Sequence, residues 1–576
     1  MTAAPKPAPE IAYAGVCMLK RDRWVIACDP SAMIMLKRVF PRVDKGELGQ
    51  VEIQRTEEID RLLQWFMDLF PLEMDARDMA QLHGGAESHR SRARAVRQLQ
   101  RADYVPNTYV MAVEPYGYQR VAADMLLRMR RLLLADQTGV GKTISAITTM
   151  SLPEMLPSLV VCPGGNMPRQ WAGQLARCLP SVKVFTCTGQ TPTTPSTSSG
   201  AFPDVVIIPY HLLQYWGDVL RGRFRLVVFD EVQDLRHTET GKYKIARALS
   251  ESADFSLGMS ATPVFNFGAE NFAVLDAVNP GSLGSWDEFD REFCVQGEER
   301  RKKKLINPTQ FGFWLDQSGL RLRRTRKDVN QELPPLTIAP TPCACNAEEL
   351  RKIAGRAGAL AQILTSRSSG FTDKGRAARE LDAVFRQATG IGKAPHIAEF
   401  LAALLDGGEP SVVCFLHHLA VFDVVVERLK HIFGAQFEPA VYNGQTVGDH
   451  RKQEALRRFK ARETPILLMG LRAGNAGLDG LQHVCRTVVI GELDWSPALH
   501  HQGISRIDRA GQTDPVTAYY LLSEEGSDPV VSEVCGAKTQ QQVTVLDPKE
   551  ERREVQQVDV NHATRLAERV LAARRR

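Results

Sequence analysis

The sequence lacks long apolar runs, and it carries little net charge. No segment approaches the roughly 18 uninterrupted apolar residues of a membrane-spanning helix, and the opening Met-Thr-Ala-Ala-Pro-Lys-Pro-Ala-Pro has no apolar core of a secretory signal. The net charge of +5 is too small to indicate nucleic-acid binding by itself. These absences predict a cytoplasmic protein with no membrane partner.

The sequence also has no metal-binding or disulfide pattern. Its 11 cysteines are scattered, and the closest pair, Cys343 and Cys345, lacks the two-residue gap of a zinc knuckle. The histidine pairs at 417–418 and 500–501 are adjacent residues, which point to opposite faces of a strand. We therefore expect thiols in a reducing compartment and structural rather than metal-binding histidines. We find no nuclease motif either.

A chain of 576 residues with 44% hydrophobic and 24% charged residues can bury about three cores of roughly 100–200 residues each.

The strongest local signal is the segment Leu132 to Thr143, an apolar run that leads into Gly-Val-Gly-Lys-Thr. This pattern predicts a strand, a phosphate-binding loop and the start of a helix. Gly139 and Gly141 would let backbone N–H groups converge on phosphate oxygens, Lys142 would place a charge between the terminal phosphates, and the Thr143 hydroxyl would ligate Mg²⁺.

One position departs from the usual loop, since Asp136 stands where the pattern Gly-x-x-x-x-Gly-Lys-Ser/Thr has its first glycine. A second motif supports the interpretation, because the apolar run beginning at Leu226 ends in Asp230 and Glu231. Asp230 would hold Mg²⁺ through water, and Glu231 would orient and deprotonate the attacking water. A strand that merely ends in two solvated acids is the alternative, and two motifs in the right order disfavour it.

Further motifs follow in a characteristic order. They are Tyr116-Gly-Tyr-Gln119, Val160-Val-Cys-Pro163 with Gln170-Trp171, Met259-Ser-Ala-Thr-Pro-Val264, Arg323-Arg-Thr-Arg-Lys327 with Leu333-Pro-Pro335, Ala473-Gly-Asn-Ala-Gly-Leu-Asp-Gly480 and Gln502-Gly-Ile-Ser-Arg-Ile-Asp-Arg-Ala-Gly-Gln512. In this order the sequence resembles the superfamily-two helicase-like ATPases of the SWI/SNF type, from about Pro115 to Leu522. The segments 388–395 and 412–418 look most like the annealing-helicase branch with its phage and bacterial relatives.

The resemblance implies an α/β protein with two tandem RecA-like lobes, each a parallel sheet flanked by helices, carrying helical insertions and preceded by a small N-terminal α+β module. We expect the module at 1–105, lobe one at 106–319 with an insertion at about 266–319, lobe two at 320–528 with an insertion at about 347–389, and a tail at 529–576. In the module, the apolar patterns predict a strand at 24–28 and a helix at 59–69, with Trp65, Phe66 and Phe70 in the core.

The resemblance also assigns roles to residues. Gln119 would read the adenine edge, Gln502 would contribute to nucleotide binding, and Arg506 and Arg509 match the arginines of the last motif, with Arg509 as the arginine finger. Coupling or DNA contact is implied for Ser260, Thr262, Gly474, Gly477, Arg323 and Arg324, and Trp171 is either on the DNA side or buried in lobe one. Gln233 stands where the family commonly has histidine, so coupling between the lobes is the property that this departure puts in question.

Basic clusters lie at 90–101, 300–304, 321–327 and 574–576. Each alone fits a solvated face, but together with the ATPase motifs they suggest contacts to a phosphate backbone. The expected ligands are ATP and Mg²⁺, and the expected partners are double-stranded or branched DNA and replication or repair proteins. We expect a monomer, in a bacterium or a phage-infected cell.

Four functions remain open from the sequence. The favoured one is a DNA-dependent ATPase that translocates on duplex or branched DNA and remodels or anneals strands. An RNA or general strand-separating helicase, the motor subunit of a restriction or nuclease system, and a non-catalytic binding protein are the alternatives.

Overall fold

The computed structural model describes residues 12–261, 267–297, 300, 303–329, 334–366, 370–444, 449–471, 480–509, 511–535, 566–568, 570 and 571. The chain forms two compact units and passes from the first to the second between Arg324 and Thr325. None of the helices in these described ranges combines the length and apolar character that crossing a bilayer requires.

The N-terminal module is a small four-stranded sheet covered by helices on one face. Its elements are β1 (Gly15–Lys20), β2 (Arg23–Cys28), α1 (Pro30–Val39), β3 (Val51–Gln54), α2 (Glu57–Leu69), β4 (Leu72–Glu73) and α3 (Ala76–Leu99). The strand order is β3-β2-β1-β4. Alternate residues of the central strands, such as Trp24 and Ile26, pack with Leu63 and Phe66 of α2, because successive strand residues point to opposite faces.

The predicted strand at 24–28 and helix at 59–69 are both present in this module. Phe66 is buried and Phe70 packs partly against the core, as expected. Trp65 is not a core residue, since 46% of it is exposed. Trp65 lies on the polar side of α2, next to the buried stripe that contains Phe66. Adjacent residues of a helix point in different directions, so these two aromatic side chains have different environments.

The first lobe contains a seven-stranded parallel sheet. Its elements are α4 (Gly117–Met129), β5 (Arg131–Leu134), α5 (Lys142–Met150), β6 (Ser158–Cys162), α6 (Met167–Cys178), β7 (Val184–Thr186), β8 (Val205–Pro209), α7 (Leu213–Leu220), β9 (Leu226–Asp230), α8 (Gly241–Ser252), β10 (Phe255–Met259), α9 (Gly268–Val278), α10 (Trp286–Phe293), α11 (Pro308–Gln317) and β11 (Arg321–Leu322). The order is β11-β5-β10-β9-β6-β8-β7. Strands β6, β8 and β9 are buried throughout, which explains their continuous apolar runs.

Strand β11 belongs to the first sheet, although we expected the second lobe to begin at residue 320. It pairs in parallel with β5, with Arg321 opposite Leu133 and Leu322 opposite Leu134. A two-residue strand carries no periodic signal, so only its pairing with β5 shows that the chain returns to the first sheet before leaving it.

Helices α10 and α11 join the N-terminal module to the first lobe. The guanidinium of Arg42 is buried and pairs with Glu292 at 2.5 Å, and Arg23 pairs with the buried Glu288 at 2.9 Å. Burying such charges is costly unless they are paired. These pairs therefore specify how the module docks on the lobe.

The second lobe contains a six-stranded parallel sheet in the order β12-β17-β16-β13-β15-β14. Its elements are β12 (Leu336–Pro342), α12 (Ala347–Thr365), α13 (Phe371–Asp406), β13 (Val412–Leu416), α14 (Leu419–Phe433), β14 (Ala440–Tyr442), α15 (Asp449–Lys460), β15 (Ile466–Gly470), β16 (Thr487–Ile490), α16 (Pro497–Ile504) and β17 (Val516–Leu522). The fold is therefore the predicted α/β arrangement of two lobes with parallel sheets.

The helical insertion expected at 347–389 is formed by α12 and the first half of α13. Part of the C-terminal tail packs on it, because Leu566, Ala567 and Val570 are buried in one apolar cluster with Leu381 and Phe385. This part of the tail thus completes a core of the second lobe.

Candidate active site

The site is built at the carboxyl edge of the first sheet, where parallel strands place their following loops together. Strand β5 leads into the glycine loop, and α5 begins at Lys142 directly after it. Gly139 and Gly141 have φ angles of +89° and +88°, a region that L-residues with side chains rarely adopt. A Cβ on Gly141 would lie 2.5 Å from the amide nitrogen of Gln119. The positive φ angle therefore favours glycine at position 141, and the Gln119 amide would have to move to admit a Cβ there.

Lys142 and Thr143 occupy the first turn of α5, as predicted. The Lys142 ammonium donates to the carbonyl oxygen of Asp136 at 2.8 Å. Burial lowers the pKa of Lys142, while the nearby carboxylates of Glu231, Asp136 and Asp230 oppose that shift. A lysine with acidic groups on one side and a helix N-terminus beneath it suits a polyanionic ligand.

Asp230 ends β9, two strands from β5 in the sheet. Burial, followed by repulsion from Glu231, raises the pKa of Asp230 to about 6. Three effects oppose this rise. Trp171 donates its indole N–H to the carboxylate at 2.8 Å, Lys142 attracts the charged form, and the backbone N–H of Glu231 donates to the carboxylate at 3.1 Å. The half-buried Lys142 thus lies near the buried Asp230 and the half-buried Glu231, as the two motifs predicted.

Trp171 is buried with 1% of its surface exposed. Of its two sequence interpretations, the structure supports burial in lobe one and contradicts a DNA-side position. The sequence showed no role for its indole in the site, because the residue and Asp230 are 59 positions apart. The only signal was the place of Trp171 in a motif near the carboxyl end of β6.

Glu231 has a strained backbone, with φ of +51° and ψ of +54°. Left-handed conformations of non-glycine residues cluster at functional sites, where the surrounding structure holds them. The side-chain amide of Gln233 donates to the Glu231 carboxylate at 2.5 Å. Gln233, which we had considered for coupling between lobes, therefore holds the orientation of Glu231 within the first lobe.

The segment before α4 lies against the glycine loop. The side-chain oxygen of Gln119 accepts the backbone N–H of Tyr116 at 3.0 Å, and its amide nitrogen lies 3.4 Å from the carbonyl oxygen of Gly141. The rings of Tyr116 and Tyr118 stack with centroids 5.5 Å apart. The predicted adenine-reading residue is thus placed beside the predicted phosphate loop.

Arg323 and Arg324 turn toward the first lobe rather than toward solvent. Arg323 donates to the carbonyl oxygens of Ala135 at 2.6 Å and Ala261 at 3.2 Å, and Arg324 pairs with Asp136. These contacts fit the coupling role that we considered for both residues, and DNA contact by either residue stays a prediction. Ser260, which precedes Ala261, is buried, whereas Thr262 lies outside the described residues.

The basic cluster at 321–327 is therefore not a uniformly exposed surface. Arg321 is fully buried and pairs with Asp316 at 2.7 Å, and Arg326 pairs with Asp508 at 2.7 Å within the second unit. Lys327 is exposed. The pairing of Arg326 and Asp508 was missed from the sequence, although each residue stands in one of the quoted motifs.

The candidate residues of the second unit lie at and after α16. Gln502 is on the helix, Arg506 and Arg509 follow it in a turn, and the Ser505 hydroxyl donates to the carbonyl oxygen of Gln502 at 2.9 Å. The side chains of Gln502, Arg506 and Arg509 are partly exposed. Gly474 and Gly477 lie outside the described residues.

The histidine pairs have structural partners. His418 Nδ1 lies 2.7 Å from a carboxylate oxygen of Glu492, and His500 Nε2 accepts the backbone N–H of Asp494 at 2.8 Å. Burial lowers the pKa of His500 to about 4. Within the described part of the chain, no group of three or more His, Cys, Asp or Glu residues could hold a metal ion.

Comparison with known proteins gives two family matches. Residues 50–368 match the model of the SNF2-related domain, and residues 396–511 match the helicase conserved C-terminal domain. The first match covers more than half of the chain, and the second lies within the second lobe. Together they cover the first lobe and most of the second.

Similar proteins include the SWI/SNF-related matrix-associated actin-dependent regulator of chromatin subfamily A-like protein 1 of Xenopus tropicalis, 26% identical over 70% of this chain and 41% of that protein. The DNA annealing helicase and endonuclease ZRANB3 of Mus musculus is 22% identical over 78% of this chain and 42% of that protein. The matches thus span less than half the length of these relatives.

A solved structure, the Sulfolobus solfataricus SWI2/SNF2 ATPase core in complex with dsDNA, is 18% identical over 77% of this chain and 95% of that chain, with a TM-score of 0.37. We therefore assign the fold from the strand order of the two parallel sheets and not from this likeness. The resemblance predicted from the motifs is confirmed, including its annealing-helicase relatives, and the chain belongs to the SNF2-related domain family.

Proposed function

We propose that this protein is a DNA-dependent ATPase that uses ATP hydrolysis to translocate on duplex or branched DNA and to remodel or anneal strands. The observation that carries the proposal is the joint placement of the glycine loop, Lys142 and the adjacent acids Asp230 and Glu231 at one sheet edge. The family supports the choice of DNA as partner, since its relatives include a protein named as a DNA annealing helicase.

The residues present fit ATP and Mg²⁺. Gly139, Gly141 and Lys142 would hold the phosphates, and the Thr143 hydroxyl and Asp230 carboxylate are the hard oxygen ligands that Mg²⁺ takes beside nucleotide phosphates. When bound, Mg²⁺ would neutralise charge on the phosphates. A bound cation would offset the burial and the repulsion from Glu231 that raise the pKa of Asp230.

The remaining side chains would orient the adenine of ATP and the attacking water. Glu231, held by Gln233, would position the attacking water and take its proton. Gln119 would read the adenine edge. From the second unit, Gln502 and Arg506 would contribute to nucleotide binding, and Arg509 would place its guanidinium on the charge that develops on the transferred phosphoryl group.

ATP hydrolysis by the purified protein tests the proposal, with no nucleic acid, linear duplex DNA, single-stranded DNA, forked DNA or RNA present. We expect duplex or forked DNA to stimulate hydrolysis at least about tenfold, and Lys142→Ala to abolish it. Lys244→Ala, at an exposed lysine of α8, is the control and should leave the rates unchanged.

Other outcomes would overturn the proposal. Stimulation by RNA alone would identify an RNA helicase. ATP binding without hydrolysis on any nucleic acid would favour a motor subunit that needs a partner, or a binding protein that has lost catalysis.

Removing one hydrogen bond should change the pH dependence of hydrolysis. The Trp171 indole N–H stabilises the ionised form of Asp230, and a hydrogen bond to a charged group contributes about 1.5–3 kcal/mol. The proposed role of Asp230 as a Mg²⁺ ligand requires its ionised form, so we expect kcat/KM to fall as the pH drops through its pKa, which burial and Glu231 raise to about 6. We expect Trp171→Phe to raise that pKa further, so that the acidic limb of kcat/KM moves up by about one to two pH units.

The control for this prediction is Trp216→Phe. Trp216 is equally buried in the first lobe, but it donates to the carbonyl oxygen of Gly189 at 3.1 Å. The acidic limb should stay in place in this variant. An unchanged limb in Trp171→Phe, with the fold intact, would show that the indole does not set the charge of Asp230.

A further inference from the structure

The departure at Asp136 has a structural explanation. A carboxylate that is 0% exposed is costly unless its charge is paired and its oxygens accept hydrogen bonds. Arg324 supplies both, because its Nε donates to Asp136 Oδ1 at 3.0 Å and its Nη2 to Oδ2 at 2.5 Å. This two-point geometry is the strong form of an arginine–carboxylate pair.

The backbone around the pair is also held. Beyond the last paired residues of β5 and β11, the N–H of Ala135 donates to the carbonyl oxygen of Leu322 at 2.8 Å, and the N–H of Gln137 donates to that of Arg324 at 2.9 Å. The ladder between the two strands therefore continues into the first residues of the phosphate loop. Arg324 is fixed to this loop through its main chain as well as its side chain.

The third donor of the guanidinium reaches the segment before α4. Arg324 Nη1 donates to the carbonyl oxygen of Tyr118, and the guanidinium carbon lies 5.4 Å from the centre of the Tyr118 ring. The next residue is Gln119, whose amide lies beside the carbonyl oxygen of Gly141. One arginine therefore joins the start of the phosphate loop to the segment that we assign to the adenine.

We propose that Arg324 is a positioning residue for nucleotide selectivity: it holds Tyr118 and Gln119 in register with the phosphate loop, and Asp136 anchors it. The proposal rests on the proposed ATPase function. Arg324 acts through Tyr118 and Asp136 and does not itself contact the reacting atoms. Without Arg324, the segment of Tyr118 and Gln119 would no longer be held at a fixed distance from the phosphate loop.

The variants Arg324→Gln and Arg324→Lys test this proposal. Glutamine removes the charge, and lysine keeps it but cannot make the two-point pair with Asp136 while bonding to Tyr118. The readouts are kcat and KM for ATP and for GTP with duplex DNA, together with the melting temperature. We expect the KM for ATP to rise about tenfold and the ratio of kcat/KM for ATP over GTP to fall about tenfold, with kcat within about threefold of wild type.

The matched control is Arg225→Gln, which breaks an exposed arginine–aspartate pair of the same lobe and should leave both ratios unchanged. A lower melting temperature in the Arg324 variants without a change in KM or selectivity would show a purely structural role and overturn the proposal. If Arg324→Gln fails to fold, Arg324→Lys and Asp136→Asn provide the same comparison.

A double variant tests whether the pair acts as a unit. Asp136→Asn with Arg324→Gln leaves no unpaired buried charge, so its KM for ATP should be no higher than about twice that of Arg324→Gln alone. Additive effects would contradict the anchoring role of Asp136.

Calorimetric titration of wild type and Arg324→Gln with ATP and with GTP separates this proposal from the ATPase assignment. If wild type binds ATP selectively but does not hydrolyse it, the proposed function fails, while the loss of selectivity in Arg324→Gln still tests the positioning role.

Discussion

Replacing Glu231 with glutamine is expected to reduce DNA-stimulated ATP hydrolysis about 10³-fold while the Kd for ATP changes less than about threefold. Glutamine keeps the size and the hydrogen bond to Gln233 but cannot accept a proton from water, and general-base groups contribute typically 10²–10⁴-fold. The carboxylate is held in a strained turn by a 2.5 Å hydrogen bond, so the site is organised around its position. Single-turnover hydrolysis and equilibrium binding of ATP measure the two quantities.

Glu251→Gln is the control for this variant, since Glu251 is a partly exposed acid on α8 whose partner is Arg247. It should leave hydrolysis unchanged. Retention of more than about one-tenth of the wild-type rate in Glu231→Gln would show that another group activates the water.

Replacing Arg509 with alanine is expected to lower kcat about 10³-fold with little change in the KM for ATP, because arginine fingers contribute about 10³–10⁵-fold by stabilising transition-state charge. Arg506→Ala should have the smaller effect on kcat. Arg509→Lys should resemble the alanine variant, because an ammonium lacks the planar fork of a guanidinium. Steady-state kinetics with saturating duplex DNA distinguish the three variants.

Arg428→Ala controls for the loss of a positive charge from the second lobe, since Arg428 of α14 forms an exposed pair with Glu399 of α13. If Arg506→Ala shows the larger loss in kcat, the two roles are exchanged. If neither variant loses activity, no arginine of this motif acts as the finger.

Parts of the site that depend on neighbouring residues could be predicted from the sequence. The glycines, Lys142 and Thr143 form one continuous segment, and the apolar run ending in Asp230 and Glu231 is typical of a buried parallel strand. Strand and helix in the N-terminal module followed from periodicity in the same way. In each case the signal lies within about ten residues.

Contacts between distant segments could not be predicted. Trp171 and Asp230 are 59 residues apart, and Arg324 and Asp136 are 188 residues apart. The basic cluster at 321–327 suggested a nucleic-acid surface, whereas its first members are paired within the protein. Charge in the sequence does not show whether a partner of opposite charge is brought to it.

The sequence by itself determined the family and the two-lobe α/β class and supplied the candidate catalytic residues, because these depend on short motifs and on their order along the chain. Only the tertiary structure showed that Trp171 donates a hydrogen bond to Asp230, that Gln233 donates one to Glu231, and that Arg324 pairs with Asp136 at the start of the phosphate loop. It also decided how the N-terminal module docks, through Arg42 and Glu292. The physical reason is that strand order in a parallel sheet brings distant loops to one edge, and no local pattern of residues encodes that order.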